Sequence, residues 1–316
     1  MDEKIRLGIS SCLLGHPVRF DGGHKQDRFI TDTLGKYVDF VPVCPEVEMG
    51  LPTPREALRL VGEPEQPRLV TARSGKDYTE AMLAWTRRKV AALESEGLCG
   101  FIFKSKSPSS GMERVKLYDR NGVPRNVGVG LFAREFMAHF PCLPVEEEGR
   151  LHDPHLRENF IESIFAMQRW RTYLQDDASV GGLVTFHARH KLLLMSHSPE
   201  LYRQLGRQVA QAKDHTPQTL RSEYQGGFMR AMRLLPTIKK HVNVLHHLLG
   251  YFKKNLSADE KQELLEVIDH YAQGHIPLIV PVTLLNHFVR KFEQAYLQQQ
   301  FYLTPSPLEL KLRNHA

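Results

Sequence analysis

The sequence predicts two domains of different fold class: an α/β domain with a Rossmann-like parallel sheet, followed by an all-α domain. In the first half, short apolar runs alternate with segments of helical periodicity, as in parallel α/β sheets. After residue 182, the remaining segments carry helical periodicity and helix caps. The length of 316 residues is enough for two domains. We expect the α/β domain at 1–150, a bridging helix and linker at 151–182, and the helical domain at 183–316.

The composition excludes several classes of protein. A hydrophobic fraction of 41% is too high for a disordered chain. No apolar run reaches the ~18 residues of a membrane span, and the acidic start Met1-Asp2-Glu3 is unlike a signal peptide. The chain has only four cysteines, so reduced thiols and a cytoplasmic location are expected.

The positive charge of the chain is concentrated in its second half. From Leu183 onward there are 17 Lys and Arg against 10 Asp and Glu, while the whole chain has a net charge of +6. This asymmetry indicates an acidic partner for the helical domain, with nucleic acid as the first candidate. A solvated basic helical surface explains the charge equally well.

Three apolar runs, at 5–11, 37–43 and 98–103, predict buried strands of the parallel sheet. The residues that follow these runs and carry chemistry are Cys12, then Cys44 and Glu46, then Ser107, Ser109 and Ser110. Pro45 cannot continue a β-ladder, so we expect Cys44 and Glu46 in a loop at the strand end. Neighbouring parallel strands lie only ~4.8 Å apart, and open α/β sheets place ligands at this edge. The three loops can therefore converge on one small object.

Helical periodicity predicts helices over 26–36, 77–96, 131–139, 159–174 and 237–255. In the second half, Ser198-Pro199 is a helix cap with proline at the first helical position. Ser257 and Glu260 have the spacing of a capping box. A basic polar face is expected on the helix over 237–255, made by Lys239, Lys240, Asn243, His247, Lys253 and Lys254.

Two thiols and a third polar side chain at one sheet edge suggest a soft metal centre. The alternative for each cysteine is a small buried hydrophobe. Cys99 lies at the start of its predicted strand, ~17 Å from the strand end, so we interpret it as a core residue. We interpret Cys142 as structural too. Zinc is disfavoured because the chain has no Cys-x-x-Cys pair.

The helical half contains histidines and aromatic residues for which both a functional and a structural role are considered. His187 and His190 lie one helical turn apart, but solvent-facing or capping roles are favoured over a metal pair. Phe186, Tyr202, Tyr224 and Tyr251 can stack on bases, although most of them are more simply core.

Five motifs occur in order in the first half, namely Ser11-Cys12-Leu13-Leu14-Gly15, Arg19-Phe20-Asp21-Gly22-Gly23, Cys44-Pro45-Glu46, Gly50-Leu51-Pro52-Thr53-Pro54-Arg55 and Ser107-Pro108-Ser109-Ser110-Gly111. Together they resemble the thiouracil desulfidase family, and the resemblance covers roughly residues 5–150. From about Leu183, the chain resembles the YbgA-like domain. The combination resembles enzymes that remove sulfur from 4-thiouridine in transfer RNA (tRNA). In that family three cysteines hold a [4Fe–4S] cluster, and its fourth iron stays open for the sulfur of the substrate.

The resemblance assigns two cluster ligands, Cys12 and Cys44. The third position departs from the family, because Ser110 stands where cysteine is usual. A serine oxygen is harder and far less acidic than a thiol, so it is a poorer iron ligand.

The resemblance also implies roles for neighbouring residues. Glu46 is the best candidate for the general acid/base, because it shares a loop with a ligand. Ser107 or Ser109 would orient the base or stabilise developing negative charge. The expected substrate-binding residues are Arg19, Asp21 and Arg55. Arg19 and Asp21 have a second reading as a turn-stabilising pair, and Arg55 as the anchor of its Pro-rich loop.

Three functions follow. The first is an iron–sulfur hydrolase, a desulfidase acting on thiolated uracil in tRNA. The second is an RNA-binding protein that has lost its cluster, which Ser110 favours. The third is a cysteine-dependent sulfur carrier that uses Cys12 or Cys44.

Overall fold

The computed structural model describes residues 4–307, 310 and 312–314. The chain divides into two structural units, with the boundary between Asp153 and Pro154. No helix within the described ranges is long and apolar enough to cross a membrane.

The first unit is an α/β fold built on a parallel sheet. Its elements are β1 (Ile5–Ser10), β2 (Val38–Val43), α1 (Pro45–Glu48), β3 (Leu58–Gly62), β4 (Pro67–Thr71), α2 (Thr79–Leu93), β5 (Phe101–Phe103), β6 (Val115–Tyr118), β7 (Pro124–Gly128), α3 (Leu131–His139) and β8 (Val145–Glu147). The parallel sheet has the order β2-β1-β5-β8. Because β2 lies at its edge, the strand tolerates Pro42, which has no N–H to donate. The predicted Rossmann-like parallel sheet is confirmed.

The register of this sheet brings three strand ends to one level. Ser10, the last residue of β1, lies opposite Val43, the last residue of β2. On the other side, Ile9 lies opposite Ile102, so β5 ends level with β1. The Lys104 N–H donates to the Ser10 hydroxyl at 2.9 Å, which ties the segment after β5 to the end of β1.

A second sheet in this unit was not predicted. Its order is β4-β3-β6-β7, with β3 and β6 parallel and the outer pairs antiparallel. Asn121-Gly122 between β6 and β7 is a strong hairpin signal. The first four residues of β7 are exposed, so the strand lacks the alternating burial that marks a half-buried strand.

Two local predictions were wrong. The segment 26–36 is not an α-helix: Phe29–Thr33 forms a π-helical turn and Leu34–Lys36 a 3₁₀ turn. Thr31, Asp32 and Gly35 are poor helix formers, which explains the irregular geometry. Glu46 lies in the single-turn helix α1 rather than in a loop. Pro45 is the first residue of α1, where its fixed φ favours a helix start.

Aromatic side chains from β5 and α3 form the core of the parallel sheet. The Phe101 and Phe136 ring centroids are 4.7 Å apart, and Trp85 from α2 packs on Phe132 at 5.6 Å. Gly8 of β1 lies against Phe101, where a Cβ atom would meet the ring at 2.3 Å. The core thus holds β1 and β5 in close contact beneath the strand ends.

The second unit is helical, as predicted. Its elements are α4 (Pro154–Asp176), α5 (Val180–His197), α6 (Pro199–Ala210), α7 (Pro217–Met232), α8 (Ile238–Tyr251), α9 (Ala258–Ala272), α10 (Ile279–Lys291) and α11 (Ala295–Gln298). Ser198 caps α6 by accepting from the Leu201 N–H, and Ser257 and Glu260 form the predicted capping box. Trp170 of α4 stacks on Tyr224 of α7 in the core, with centroids 5.6 Å apart.

Gly130 packs against the loop that contains Ser107, Ser109 and Ser110, here called the serine loop, and this makes the fold sensitive to substitution of Gly130. A Cβ atom there would lie 2.5 Å from the Ser109 carbonyl and 2.7 Å from the Ser110 nitrogen. These are backbone atoms, so we expect Gly130→Ala to destabilise the first unit by about 1–3 kcal/mol. Urea unfolding followed by Trp85 fluorescence in a Trp170→Phe background measures this change.

Gly149→Ala is the matched control in the same unit, since its nearest neighbour would be the Ser105 hydroxyl at 4.0 Å. Equal unfolding midpoints for the two variants would contradict the close packing of Gly130 on the serine loop.

Candidate active site

A cavity of about 370 Å³ opens where β1, β2 and β5 end. Eight of the nine predicted site residues line it, namely Cys12, Arg19, Cys44, Glu46, Arg55, Ser107, Ser109 and Ser110. The ninth, Asp21, lies outside the cavity lining. The level strand ends explain this convergence, because each contributing loop leaves the sheet at the same edge.

Both thiols are held close to the sheet edge. Cys12 lies in a 3₁₀ turn, Ser11–Leu14, and is 8% exposed. Cys44 is the N-cap of α1, and its Sγ lies 3.9 Å from the Val18 carbonyl oxygen. Burial raises the pKa of the Cys12 thiol to about 11, against the opposing positive charge of Lys104. Burial also raises the pKa of Cys44, against the opposing N–H of Val47. Thiols in this state are weak nucleophiles until a metal replaces the proton.

Glu46 is fixed by a mostly buried ion pair. Arg55 donates to Glu46 Oε2 from Nε at 2.9 Å and from Nη2 at 2.7 Å. Nη2 also donates to the Val18 carbonyl, and Nη1 donates to Pro52 and Thr53. Every guanidinium nitrogen therefore has a protein acceptor, which supports the reading of Arg55 as an anchor.

The serine loop completes the arrangement around Glu46. Ser109 Oγ donates to Glu46 Oε1 at 2.9 Å. A hydroxyl has only one proton to donate, so Ser107 Oγ must donate to Ser109 Oγ across their 3.0 Å separation. Ser107 Oγ in turn accepts from the Ser109 and Ser110 N–H groups. The result is a directed chain from Ser107 through Ser109 to the carboxylate.

Ser110 occupies the position of the third expected ligand. It is 3% exposed and lines the same cavity as Cys12 and Cys44. Within the described part of the chain, no group of three His, Cys, Asp or Glu side chains is arranged to hold a metal ion.

Arg19 and Asp21 stabilise their own turn. Asp21 Oδ1 accepts from the Gly23 N–H at 3.0 Å and lies 3.4 Å from Arg19 Nε. The Gly23 hydrogen bond, ahead of the Arg19 guanidinium, lowers the pKa of Asp21. Arg19 reaches the cavity while Asp21 does not, so of this pair only Arg19 can contact a molecule inside it.

Sequence reasoning missed Lys104. Its side chain lines the cavity and pairs with Glu148, and its charge acts on Cys12. The signal was available, because Lys104 directly follows the third predicted strand, just as Cys12 and Cys44 follow the first and second.

The histidines at 187 and 190 have structural partners. His190 is fully buried; its Nδ1 contacts the Phe186 carbonyl at 2.8 Å, and its Nε2 accepts from Arg169 Nε at 3.0 Å. His187 Nδ1 lies 3.0 Å from the Tyr224 hydroxyl. Burial lowers the pKa of His187 to about 4 and that of His190 well below its usual value. Both are therefore neutral; His190 lies in the core, where a solvent-facing or capping role was predicted, and His187 is half-buried beside it.

The Arg55–Glu46 pair has a measurable consequence. Removing Arg55 leaves a buried carboxylate without its cation, so Arg55→Ala is expected to cost about 3 kcal/mol of unfolding free energy. The matched control is Arg68→Ala, whose pair with Asp77 is far more exposed and is worth below about 1 kcal/mol. Urea unfolding followed by Trp85 fluorescence, again in the Trp170→Phe background, compares the two variants. Equal losses would show that the Glu46 carboxylate does not depend on Arg55.

Comparisons with known proteins agree with this division of the chain. The family model for 2-thiouracil desulfurase matches residues 7–148, and that for a protein of unknown function, DUF1722, matches 191–307. The chain is 32% identical over 154 residues to the uncharacterized protein YbgA of Escherichia coli (strain K12), covering 48% of this chain and 90% of YbgA. It is 32% identical over 112 residues to the uncharacterized protein YbbK of Bacillus subtilis (strain 168), covering 33% of this chain and 71% of YbbK.

Among solved structures, the [4Fe-4S]-dependent thiouracil desulfidase TudS is 31% identical, with a TM-score of 0.40; the match covers 48% of this chain and 95% of TudS. The chain belongs to the 2-thiouracil desulfurase family through its first unit and to the YbgA-like DUF1722 family through its second.

Proposed function

We propose that the chain is a cytoplasmic desulfidase that uses a [4Fe–4S] cluster to remove sulfur from 4-thiouridine in tRNA. The products are uridine and hydrosulfide. The observation that carries this proposal is the convergence of Cys12, Cys44 and Ser110 on one cavity with the oriented carboxylate of Glu46. Family membership supports the same reaction class.

The donor set fits a cluster held by three side chains. Cys12 and Cys44 would supply sulfur from adjacent strand ends, and Ser110 would supply an oxygen from the loop that follows β5. Iron–sulfur clusters accept a non-thiolate ligand in place of cysteine, with a shift in reduction potential. Three ligands leave one iron of four without a protein ligand. When bound, the cluster supplies an open iron that attracts the thiocarbonyl sulfur and polarises the C–S bond.

Glu46 performs the proton transfer in this proposal. Arg55 occupies both acceptor directions of Oε2, whereas Ser109 occupies only one of Oε1. Oε1 therefore takes the proton from an attacking water, whose oxygen bonds to the pyrimidine carbon. As the C–S bond breaks, Glu46 returns this proton to the sulfur, and the added oxygen loses its remaining proton as the carbonyl of uridine forms. One water is consumed and hydrosulfide and one proton are released, so the atoms and charges balance.

The helical unit supplies the contacts to tRNA. Lys253 and Lys254, which follow the last residue of α8, are exposed, as is Lys239 within that helix. Tyr251 is 40% exposed and stacks on Tyr296 with centroids 5.4 Å apart, so its ring can take a base. Three other residues that were candidates for RNA contact from the sequence stabilise the fold instead. Lys240 donates to the His197 carbonyl, and Phe186 and Tyr224 lie in the core.

The cluster-less RNA-binding alternative is favoured by Ser110, which removes the third thiol. The sulfur-carrier alternative requires a reactive thiolate. Burial raises the pKa of Cys12 and Cys44, which keeps both thiols protonated near neutral pH and disfavours that function.

Substitution of Ser110 tests the cluster. We expect the natural chain to take up iron and sulfide after anaerobic reconstitution, and Ser110→Cys to lose its cluster to a chelator at least about tenfold more slowly. Iron and sulfide analysis, visible charge-transfer absorbance and turnover of 4-thiouridine in tRNA are the measurements.

Glu46→Gln in the same experiment separates chemistry from cluster binding. The visible charge-transfer absorbance of this variant should persist, while its turnover of 4-thiouridine falls by a factor of about 10²–10⁴. If neither the natural chain nor Ser110→Cys takes up iron, the desulfidase proposal fails and the RNA-binding alternative remains.

The RNA surface predicts a salt-dependent affinity. The double variant Lys253→Gln/Lys254→Gln should bind tRNA more weakly, and the slope of log affinity against log salt should fall by about one for each phosphate that is no longer neutralised. Tyr251→Ala should lose about 1–3 kcal/mol of binding with little change in slope. Lys213→Gln, an exposed lysine after α6, is the control. A slope that is the same in all variants would place the RNA surface elsewhere.

A further inference from the structure

The lining of the candidate active-site cavity is far more positively charged than the unit that contains it. Residues 1–153 are balanced, with 22 Lys and Arg against 22 Asp and Glu. The charged residues of the lining, in contrast, are one carboxylate and five cations: Glu46, and Arg19, Lys25, Arg55, Lys104 and Lys106. A cleft lined by one sign of charge attracts ligands of the opposite sign. This cavity is therefore suited to an anionic ligand.

Three of the five cations already have a carboxylate partner. The ion pairs are Arg55 with Glu46, Lys104 with Glu148, and Arg19 with Asp21. Lys25 and Lys106 differ from these three, because both are exposed and neither ammonium group has a hydrogen bond or an ion pair within the described part of the chain. Two cations at the cavity are therefore available to a ligand.

The backbone holds both lysines at the cavity. The Lys25 N–H donates to the Cys12 carbonyl at 2.9 Å. Lys106 follows Ser105, whose own N–H donates to Glu148 Oε2 at 2.7 Å. The φ angle of Lys106 is 58°, in the left-handed region that residues other than glycine rarely adopt. Residues held in this region cluster at sites that bind ligands, so the loop conformation supports a binding role for Lys106.

An exposed aromatic ring belongs to the same lining. Phe20 is 41% exposed, whereas phenylalanine is among the residues most often buried. Its backbone is fixed, because its carbonyl accepts from the Arg55 N–H at 2.8 Å. The guanidinium carbon of Arg19 lies 5.5 Å from the centroid of the ring. An aromatic ring beside basic side chains is a stacking surface for a nucleobase.

We propose that Lys25 and Lys106 form a phosphate subsite at this cavity, and that Phe20 stacks on the base that the phosphate accompanies. The ligand class is a thiolated uridine nucleotide, as distinct from the free base or the nucleoside. This assignment rests on the proposed desulfidase function, to which it adds the residues that select a substrate carrying phosphate. The two ammonium groups hold the phosphate by charge-assisted hydrogen bonds, and the ring of Phe20 replaces the stacking that the base loses when it leaves its strand.

The combination of charge with an aromatic surface favours a nucleotide over simpler ligands. Inorganic phosphate would contact the two ammonium groups but would leave the ring of Phe20 uncovered. Free thiouracil would contact the ring but would leave both ammonium groups without a partner. A nucleotide uses all three side chains, so its affinity should depend on each of them.

Equilibrium dialysis of the full chain at low salt with 4-thiouridine 5′-monophosphate tests the subsite, with 4-thiouridine as the control ligand that lacks phosphate. We expect the monophosphate to bind at least about tenfold more tightly than the nucleoside. Lys25→Gln/Lys106→Gln should abolish this preference. The matched control is Lys36→Gln/Lys116→Gln, which removes two exposed lysines of the same unit that lie outside the cavity lining and should retain the preference.

Two further measurements separate a nucleotide subsite from a general anion site. Phe20→Ala should weaken the binding of the monophosphate and of the nucleoside alike, by about fivefold or more. Inorganic phosphate should compete with the thiolated monophosphate at least about fivefold less effectively than uridine 5′-monophosphate does, because it cannot stack on the ring. Thermal unfolding of each variant without ligand identifies any loss of affinity that is caused by misfolding.

Four outcomes would overturn the subsite. They are a lack of saturable binding of the monophosphate up to tens of millimolar, equal affinity for the nucleoside, a phosphate preference that survives in folded Lys25→Gln/Lys106→Gln, and full affinity in Phe20→Ala together with equal competition by inorganic phosphate. Because this binding is measured without a cluster, failure of cluster uptake or turnover would overturn the proposed function instead.

Discussion

The register of the parallel ladder is the constraint on which the candidate active site depends. Ser10 lies opposite Val43, and β5 is aligned on β1 so that the segment beginning at Lys104 starts at the same level. A shift of one residue in either pairing would turn the flanking side chains to the other face of the sheet. The aromatic core beneath, together with Gly8 against Phe101, leaves little freedom for such a shift. Thiols that are 32 positions apart in sequence, Cys12 and Cys44, therefore reach one cavity.

Above that edge, a buried ion pair determines the chemistry that is available. Arg55 saturates one oxygen of Glu46, and Ser109 directs the other, so the carboxylate has a single open direction. The same loop presents Ser110, which changes one sulfur donor of the family pattern to oxygen. In the proposed function, Glu46 is the acid/base and Ser110 stands in place of one sulfur donor of the cluster.

The helical unit buries charge in a different way. Arg313 is 4% exposed and joins Glu158 and Glu162 from the far end of the unit. Desolvating three ionised groups is costly, and their mutual attraction offsets this only when their hydrogen bonds are complete. Here the surrounding polar groups are incompletely satisfied, since Asn159 Oδ1 has no partner among the described residues.

Local sequence was enough to predict the features that depend on neighbouring residues. Apolar runs followed by Pro45, Cys12 or a serine cluster predicted the strands and the edge at which the site forms, and Ser257 with Glu260 predicted a helix start. The pattern was not enough for the segment 26–36, where weak helix formers give π and 3₁₀ turns, nor for the second sheet, whose exposed strand β7 lacks a buried face.

The pairing of distant residues was decided only by the tertiary structure. The sequence suggested roles for Arg55 and Ser109, but their hydrogen bonds to the two oxygens of Glu46 depend on how the separate loops pack. Arg313 and Glu162 are 151 positions apart, and no local pattern links them. Propensity and periodicity act over a few residues, so they determine which elements form. The packing of those elements determines which charges become buried together, as it does for Glu46 with Arg55 and for Glu162 with Arg313.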